Sequence, residues 1–222
     1  MKRSLVGSAC FSALLALTAC SSGGGGGKDD GGDPPPAQSR PGMGPSKDKP
    51  VGTVYTLPTG VELQKPTKGD DPFCIPVDQK EKDKKGSGGL VRLCLNFRNT
   101  NTQVPITVVF PPGLVFISDS DATQNGILIQ TTSIEVPAGR TQFFVPLYLY
   151  CLNKDRYPTS GGQDTYSMGP VTQDSSMLEL TGLLQSKTLP LVESNNTVQE
   201  AVWHITDGSG LTASDRDAIS KL

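Results

Sequence analysis

The sequence predicts a mainly β protein, an antiparallel immunoglobulin-like β-sandwich with a short C-terminal helical segment. Three features carry this expectation. Apolar and polar side chains alternate at period two over residues 90–99, Pro/Gly turn clusters then recur with no helical pattern between them, and beyond residue 174 the apolar period lengthens to that of a helix. The composition allows one folded domain: 222 residues with 35% hydrophobic and 6% aromatic content are lean, and 25 Gly and 18 Pro require part of the chain to be linker. A net charge of −2 argues against general nucleic-acid binding.

The elements follow in order. Residues 53–57 and 73–77 are expected to complete the sheets. The Lys-rich stretch 79–85 and Gly86-Ser87-Gly88-Gly89 read as a solvated loop. In residues 90–99, Val91, Leu93, Leu95 and Phe97 fall on one side, with Arg92, Cys94, Asn96 and Arg98 on the other. Residues 104–110 alternate likewise, Pro111-Pro112-Gly113 turns the chain into 114–118, and 126–131, 133–136 and 141–152 continue the pattern around the turn Pro137-Ala138-Gly139. Three short helices should close the chain. Ser176-x-x-Glu179, Thr197-x-x-Glu200 and Thr212-x-x-Asp215 have capping spacing, and Met177, Leu180, Leu183 and Leu184, then Val198, Ala201, Val202 and Ile205, form apolar stripes.

The first fifty residues read differently. Lys2 and Arg3 precede an uncharged apolar stretch, residues 4–19, that is short for a membrane span and suits a secretory signal. It ends in Leu17-Thr18-Ala19-Cys20, followed by Ser21, a quartet that resembles the lipobox of bacterial lipoproteins. The resemblance implies a signal peptide over 1–19, cleavage before Cys20, and acyl chains on Cys20 that anchor the protein stably in a membrane. It also implies a bacterial cell-envelope location, in the outer rather than the inner membrane because Ser21 is not the Asp that retains such proteins. Residues 20–52 are expected to be a lipidated flexible tether, since Gly23 to Gly27, Pro34-Pro35-Pro36, Pro41, Pro45 and Pro50 leave almost nothing to bury. The folded domain is then 53–222, with its helical part from about 174.

Chemistry could enter through the cysteines. With Cys10 in the signal and Cys20 acylated, Cys74, Cys94 and Cys151 remain in an oxidising compartment, an odd number. A Cys74–Cys94 bridge would leave Cys151 alone in the core, whereas Cys74–Cys151 would tie the first strand to the last; spacing does not choose. Cys151 alternates with Phe143, Val145, Leu147 and Leu149 and so belongs to the apolar face. His204 is the only histidine, reads as a structural residue at the edge of a packed stripe, and makes a Cys151–His204 dyad conceivable. Residues 118–121, Ser-Asp-Ser-Asp, read as a polar hairpin loop rather than a calcium loop. No metal, cofactor or catalytic residue is expected.

Tyr150-Cys151-Leu152 and Gln199-Glu200-Ala201-Val202-Trp203 resemble the paired signature of bacterial thioester adhesin domains. In that family an aromatic-Cys-aliphatic segment and a Gln-x-x-aliphatic-Trp segment form an internal thioester that acylates an amine on a host surface. The resemblance implies Cys151 as acyl acceptor, Gln199 as acyl donor and Trp203 as a shielding aromatic. Val198 stands where the family prefers Thr. Read from the residues alone, Val198, Val202 and Trp203 are a helix stripe and Gln199 faces solvent or caps a carbonyl. The expected function is therefore a membrane-anchored envelope lipoprotein that presents a non-enzymatic binding or structural module to an unknown protein or glycan ligand; the alternative is a covalent surface adhesin with a Cys151–Gln199 thioester.

Overall fold

A computed structural model describes residues 40–71, 74, 84–189 and 196–222. The strands are β1 (Gly52–Val54), β2 (Val61–Leu63), β3 (Thr67–Gly69), β4 (Lys85–Gly86), β5 (Val91–Asn99), β6 (Ile106–Phe110), β7 (Leu114–Ser118), β8 (Gly126–Ile127), β9 (Thr132–Val136), β10 (Phe143–Cys151) and β11 (Thr165–Thr172); the helices are α1 (Ser175–Leu184), α2 (Asn196–Thr206) and α3 (Ala213–Ser220). The protein is mainly β, as expected, but the immunoglobulin-like sandwich is not what the strands build. The order β5-β3-β11-β7-β8-β10 returns to β5 through a long antiparallel β10–β5 pairing, so six strands close into a barrel. Closure removes the free edges that a sandwich would keep. β1, β2 and β4 add to its wall, and β6 and β9 form a separate two-stranded sheet.

Closure depends on two strands that alternation does not mark. β3 has only three residues, and β11 is interrupted by Gly169-Pro170, where its register with β7 shifts between Met168 and Val171. Where the chain alternates, the faces are those expected: Val91, Leu93, Leu95 and Phe97 of β5 are buried with Leu114, Phe116, Val145, Leu147, Leu149 and Cys151 inside the barrel, capped by Val108, Phe110, Ile134 and Val136 of the small sheet. Phe110 lies edge-on to Phe116 and Tyr55, with ring centroids 5.9 and 5.5 Å away.

A second core lies outside the barrel wall. Val115, Ile127, Ile129, Tyr150 and Leu152 face outward and meet Met177, Leu180, Leu184, Val198, Ala201, Val202, Ile205 and Ile219 of the helices. β10 is thus buried on both faces, which is why its sequence runs Leu-Tyr-Leu-Tyr-Cys with no polar alternation. The helices occur where their stripes place them, with two changes of cap: Thr197 lies inside α2, which begins at Asn196. Asp174, not Ser176, caps α1 by accepting from the Met177 N–H, whereas Thr212 and Asp215 form the expected capping box on α3.

Two boundaries move. The tether expected over 20–52 ends earlier, because residues 40–52 pack on the domain: Met43 is buried in the second core and β1 pairs with β11. Pro and Gly there serve a tight path rather than a loose one. The stretch 84–89 is not a solvated loop either. β4 runs parallel to β10, and Gly88 lies so close to it that a Cβ would stand 2.0 Å from the Leu149 carbonyl carbon. The signal peptide over 1–19, Cys20 and most of the strand expected over 73–77 lie outside the described residues.

Candidate functional site

Cys151 is the last residue of β10, and its alternation with Val145, Leu147 and Leu149 turns its side chain into the barrel core. α2 crosses this strand end. Its stripe of Val198, Ala201, Val202 and Ile205 docks on the second core, so the neighbouring flank, where Gln199 and Trp203 lie four apart, meets the end of β10. Gln199 does not face solvent. It is buried, and its carboxamide closes a two-bond ring with the Cys151 backbone: the Cys151 N–H donates to Oε1 at 2.8 Å and Nε2 donates to the Cys151 carbonyl at 2.9 Å. The carbonyl partner makes the capping expectation half right. The strand simply ends here, and Gln199 supplies the pairing that a next strand would have made.

The sulfur has its own partners. The Asn153 N–H donates to Cys151 Sγ at 3.2 Å, and Trp203 packs against the same core cluster with Lys154 Nζ 5.5 Å from its ring centroid. Burial pushes the Cys151 thiol up to about 11, while the Trp203 indole, the Asn153 N–H and Arg156 pull the other way and Asp207 adds to the rise. Among the described residues the buried indole Nε1 has no acceptor in hydrogen-bonding geometry, so its pull on the sulfur is that of a nearby dipole rather than a formed bond. At neutral pH the group is a thiol, sheltered from water at 0% exposure.

The other cysteines pair with each other. Cys74 and Cys94 form a disulfide with Cα atoms 5.4 Å apart, which selects the first of the two bridges that spacing allowed and leaves Cys151 free. His204 turns away from Cys151. Its Nδ1 lies 2.9 Å from Asp215 Oδ1 and ties α2 to α3, so the histidine is structural and the Cys151–His204 dyad does not assemble. Asp119 accepts from the Thr165 and Ser167 hydroxyls, as a polar hairpin loop requires.

Asn153 is the site residue that sequence reading missed. It is wholly buried, accepts the Asn125 N–H at its Oδ1, and donates through Nδ2 to the carbonyls of Gly42 and Gly44. The one available signal was an Asn directly after an apolar strand end, a position where a polar side chain has to find partners. No family model, curated protein or solved structure matches this chain.

Proposed function

We propose that this chain is a lipid-anchored protein of the bacterial cell envelope whose barrel domain acts as a covalent surface adhesin through a Cys151–Gln199 thioester. The observation that carries the reading is the buried ring between the Gln199 carboxamide and the Cys151 backbone. The two residues that the resemblance pairs, 48 positions apart, lie in contact out of water at the edge of the barrel core. The alternative drawn from sequence thereby becomes the preferred one.

The hydrogen bonding supports the acyl end of the step. The Cys151 N–H holds Oε1 at 2.8 Å, within the range of a donor that stabilises an oxyanion. Cys151 Sγ attacks the Gln199 carboxamide carbon, the carbon–nitrogen bond breaks, the thiol proton leaves on nitrogen, and ammonia departs. The Asn153 N–H and the Trp203 indole favour the anionic sulfur that this requires. An amine on the target surface then attacks the thioester carbonyl, forms an amide with Gln199 and restores the Cys151 thiol. No metal or cofactor takes part. Lys2, Arg3, the apolar segment and Leu17-Thr18-Ala19-Cys20 support acylation at Cys20 and attachment to the outer membrane.

Intact mass tests the chemistry. The domain should weigh one ammonia less than its sequence after the Cys74–Cys94 hydrogens are allowed for, and methylamine should open the bond with a matching gain. Cys151→Ala and Gln199→Ala should each abolish both. A full-mass domain inert to methylamine would overturn the reading. Gln199 would then be a clamp on a strand end, and the barrel a non-covalent binding module for a protein or glycan.

A further inference from the structure

Arg40 is the first described residue, and the segment that follows it lies across the Cys151 site. Met43 is buried against the helices, and the Gly44 N–H donates to the Leu152 carbonyl at 2.8 Å. Asn125 Nδ2 and Asn153 Nδ2 both donate to the Gly42 carbonyl, at 2.9 and 3.2 Å, and Asn153 Nδ2 also donates to Gly44 at 2.9 Å. Arg156 Nη2 reaches the Ser46 carbonyl at 2.6 Å. On its other side the segment presses on α2. Gly44 has φ +55°, and a Cβ there would stand 2.3 Å from the Thr206 carbonyl oxygen.

Residues 40–46 therefore form a strap that touches the strand end bearing Cys151 and the helix end following Gln199. Asn153 links the strap to the chemistry. Its side chain is held by Gly42 and Gly44 while its backbone N–H points at Cys151 Sγ. We infer that Asn153 is a positioning residue for the Cys151 sulfur and that the strap is the latch that keeps Cys151 and Gln199 closed together. The inference rests on the thioester reading for its role in bond formation, but its physical content is separable from it.

A buried Asn whose donors lose their acceptors has no substitute partners, so undocking the strap frees Asn153 and with it the donor on the sulfur. Local release of this kind exposes a buried group without global unfolding.

The test uses the full chain carrying Gln199→Ala, where Cys151 is a thiol whether or not the natural protein makes a thioester. Reaction of Cys151 with 5,5′-dithiobis(2-nitrobenzoate) is followed on its own peptide by mass. Adding Asn153→Asp, which keeps the shape but removes the Nδ2 donors, should speed labelling about tenfold, the scale expected from losing two buried hydrogen bonds. Gly44→Ala should do the same through its contact with Thr206. Ile134→Val, which trims the small sheet and leaves every hydrogen bond of the strap in place, should leave the rate within about twofold. Equal rates in all three variants would overturn the latch, as would labelling of the Ile134→Val chain as fast as the strap variants. In chains that retain Gln199, Asn153→Asp should also reduce the ammonia-deficient fraction. A wild-type chain of full mass would sink the thioester reading alone, because the labelling rates still decide the strap.

Discussion

Gln199 meets Cys151 through the cysteine's backbone, not its side chain: both hydrogen bonds, at 2.8 and 2.9 Å, go to the Cys151 N–H and carbonyl. Substituting the cysteine side chain leaves this ring intact, whereas substituting the glutamine orphans two buried backbone groups. The two halves of the pair thus have different structural consequences, and these can be measured apart from any covalent chemistry.

The first prediction uses that asymmetry. In a Cys151→Ala background, where no thioester can form and the ring persists, Gln199→Ala should destabilise the domain by about 2–4 kcal/mol, since each unsatisfied buried backbone group costs about 1–3 kcal/mol. In the Gln199→Ala background, a further Cys151→Ala should cost only about 1 kcal/mol, the scale of a small buried group lost from the core. Urea unfolding of the three chains checks this, and a Gln199→Ala loss below about 0.5 kcal/mol would show that water replaces the carboxamide at no cost.

The second prediction concerns alkaline pH in the same Gln199→Ala chain. Cys151 holds its proton to about 11 in the fold against an ordinary value of 9.0, so the unfolded chain binds fewer protons between those values. Stability from this group is complete below pH 9.0 and falls as pH rises toward 11, by about 2 kcal/mol over the window. Comparing Gln199→Ala with the double variant Gln199→Ala/Cys151→Ala isolates the cysteine from tyrosines and lysines that titrate nearby. The slope difference should vanish below pH 8, roughly one unit under the ordinary thiol range.

Two glycines should respond in opposite directions. Gly88→Ala would force a methyl group to within 2.0 Å of the Leu149 backbone, where β10 cannot move without breaking its ladder, and should destabilise by about 3 kcal/mol or prevent folding. Gly182 lies within α1 with nothing within 4 Å of its missing Cβ, so Gly182→Ala should stabilise by about 1 kcal/mol through helix propensity. Thermal unfolding of both variants is sufficient.

The lipid anchor is checked in cells. Cys20→Ser should abolish palmitate labelling and leave the protein uncleaved at Ala19 or released into a soluble fraction. Unchanged labelling and membrane recovery would remove the lipoprotein assignment while leaving the barrel chemistry to stand or fall on its own test.

By itself the sequence determined what is local. The inward faces of β5 and β10 and the capping box at Thr212 follow from side-chain period and cap chemistry within a few residues, and the structure has them where the period puts them. The burial of Cys151 is of the same kind. Tertiary structure alone decided what is distant. Barrel closure needs β3 and β11, one too short and the other broken by Gly169-Pro170, and a closed sheet differs from a sandwich only in which strand edges meet. Gln199 has no local feature that distinguishes a solvent-facing helix residue from one inserted against a strand end, because that depends on where β10 stops beneath α2. The strap is the clearest instance. Gly42 and Gly44 sit in a Gly/Pro-rich segment that composition assigns to a tether, yet their carbonyls are the acceptors that Asn125 and Asn153, more than eighty residues away, require when buried.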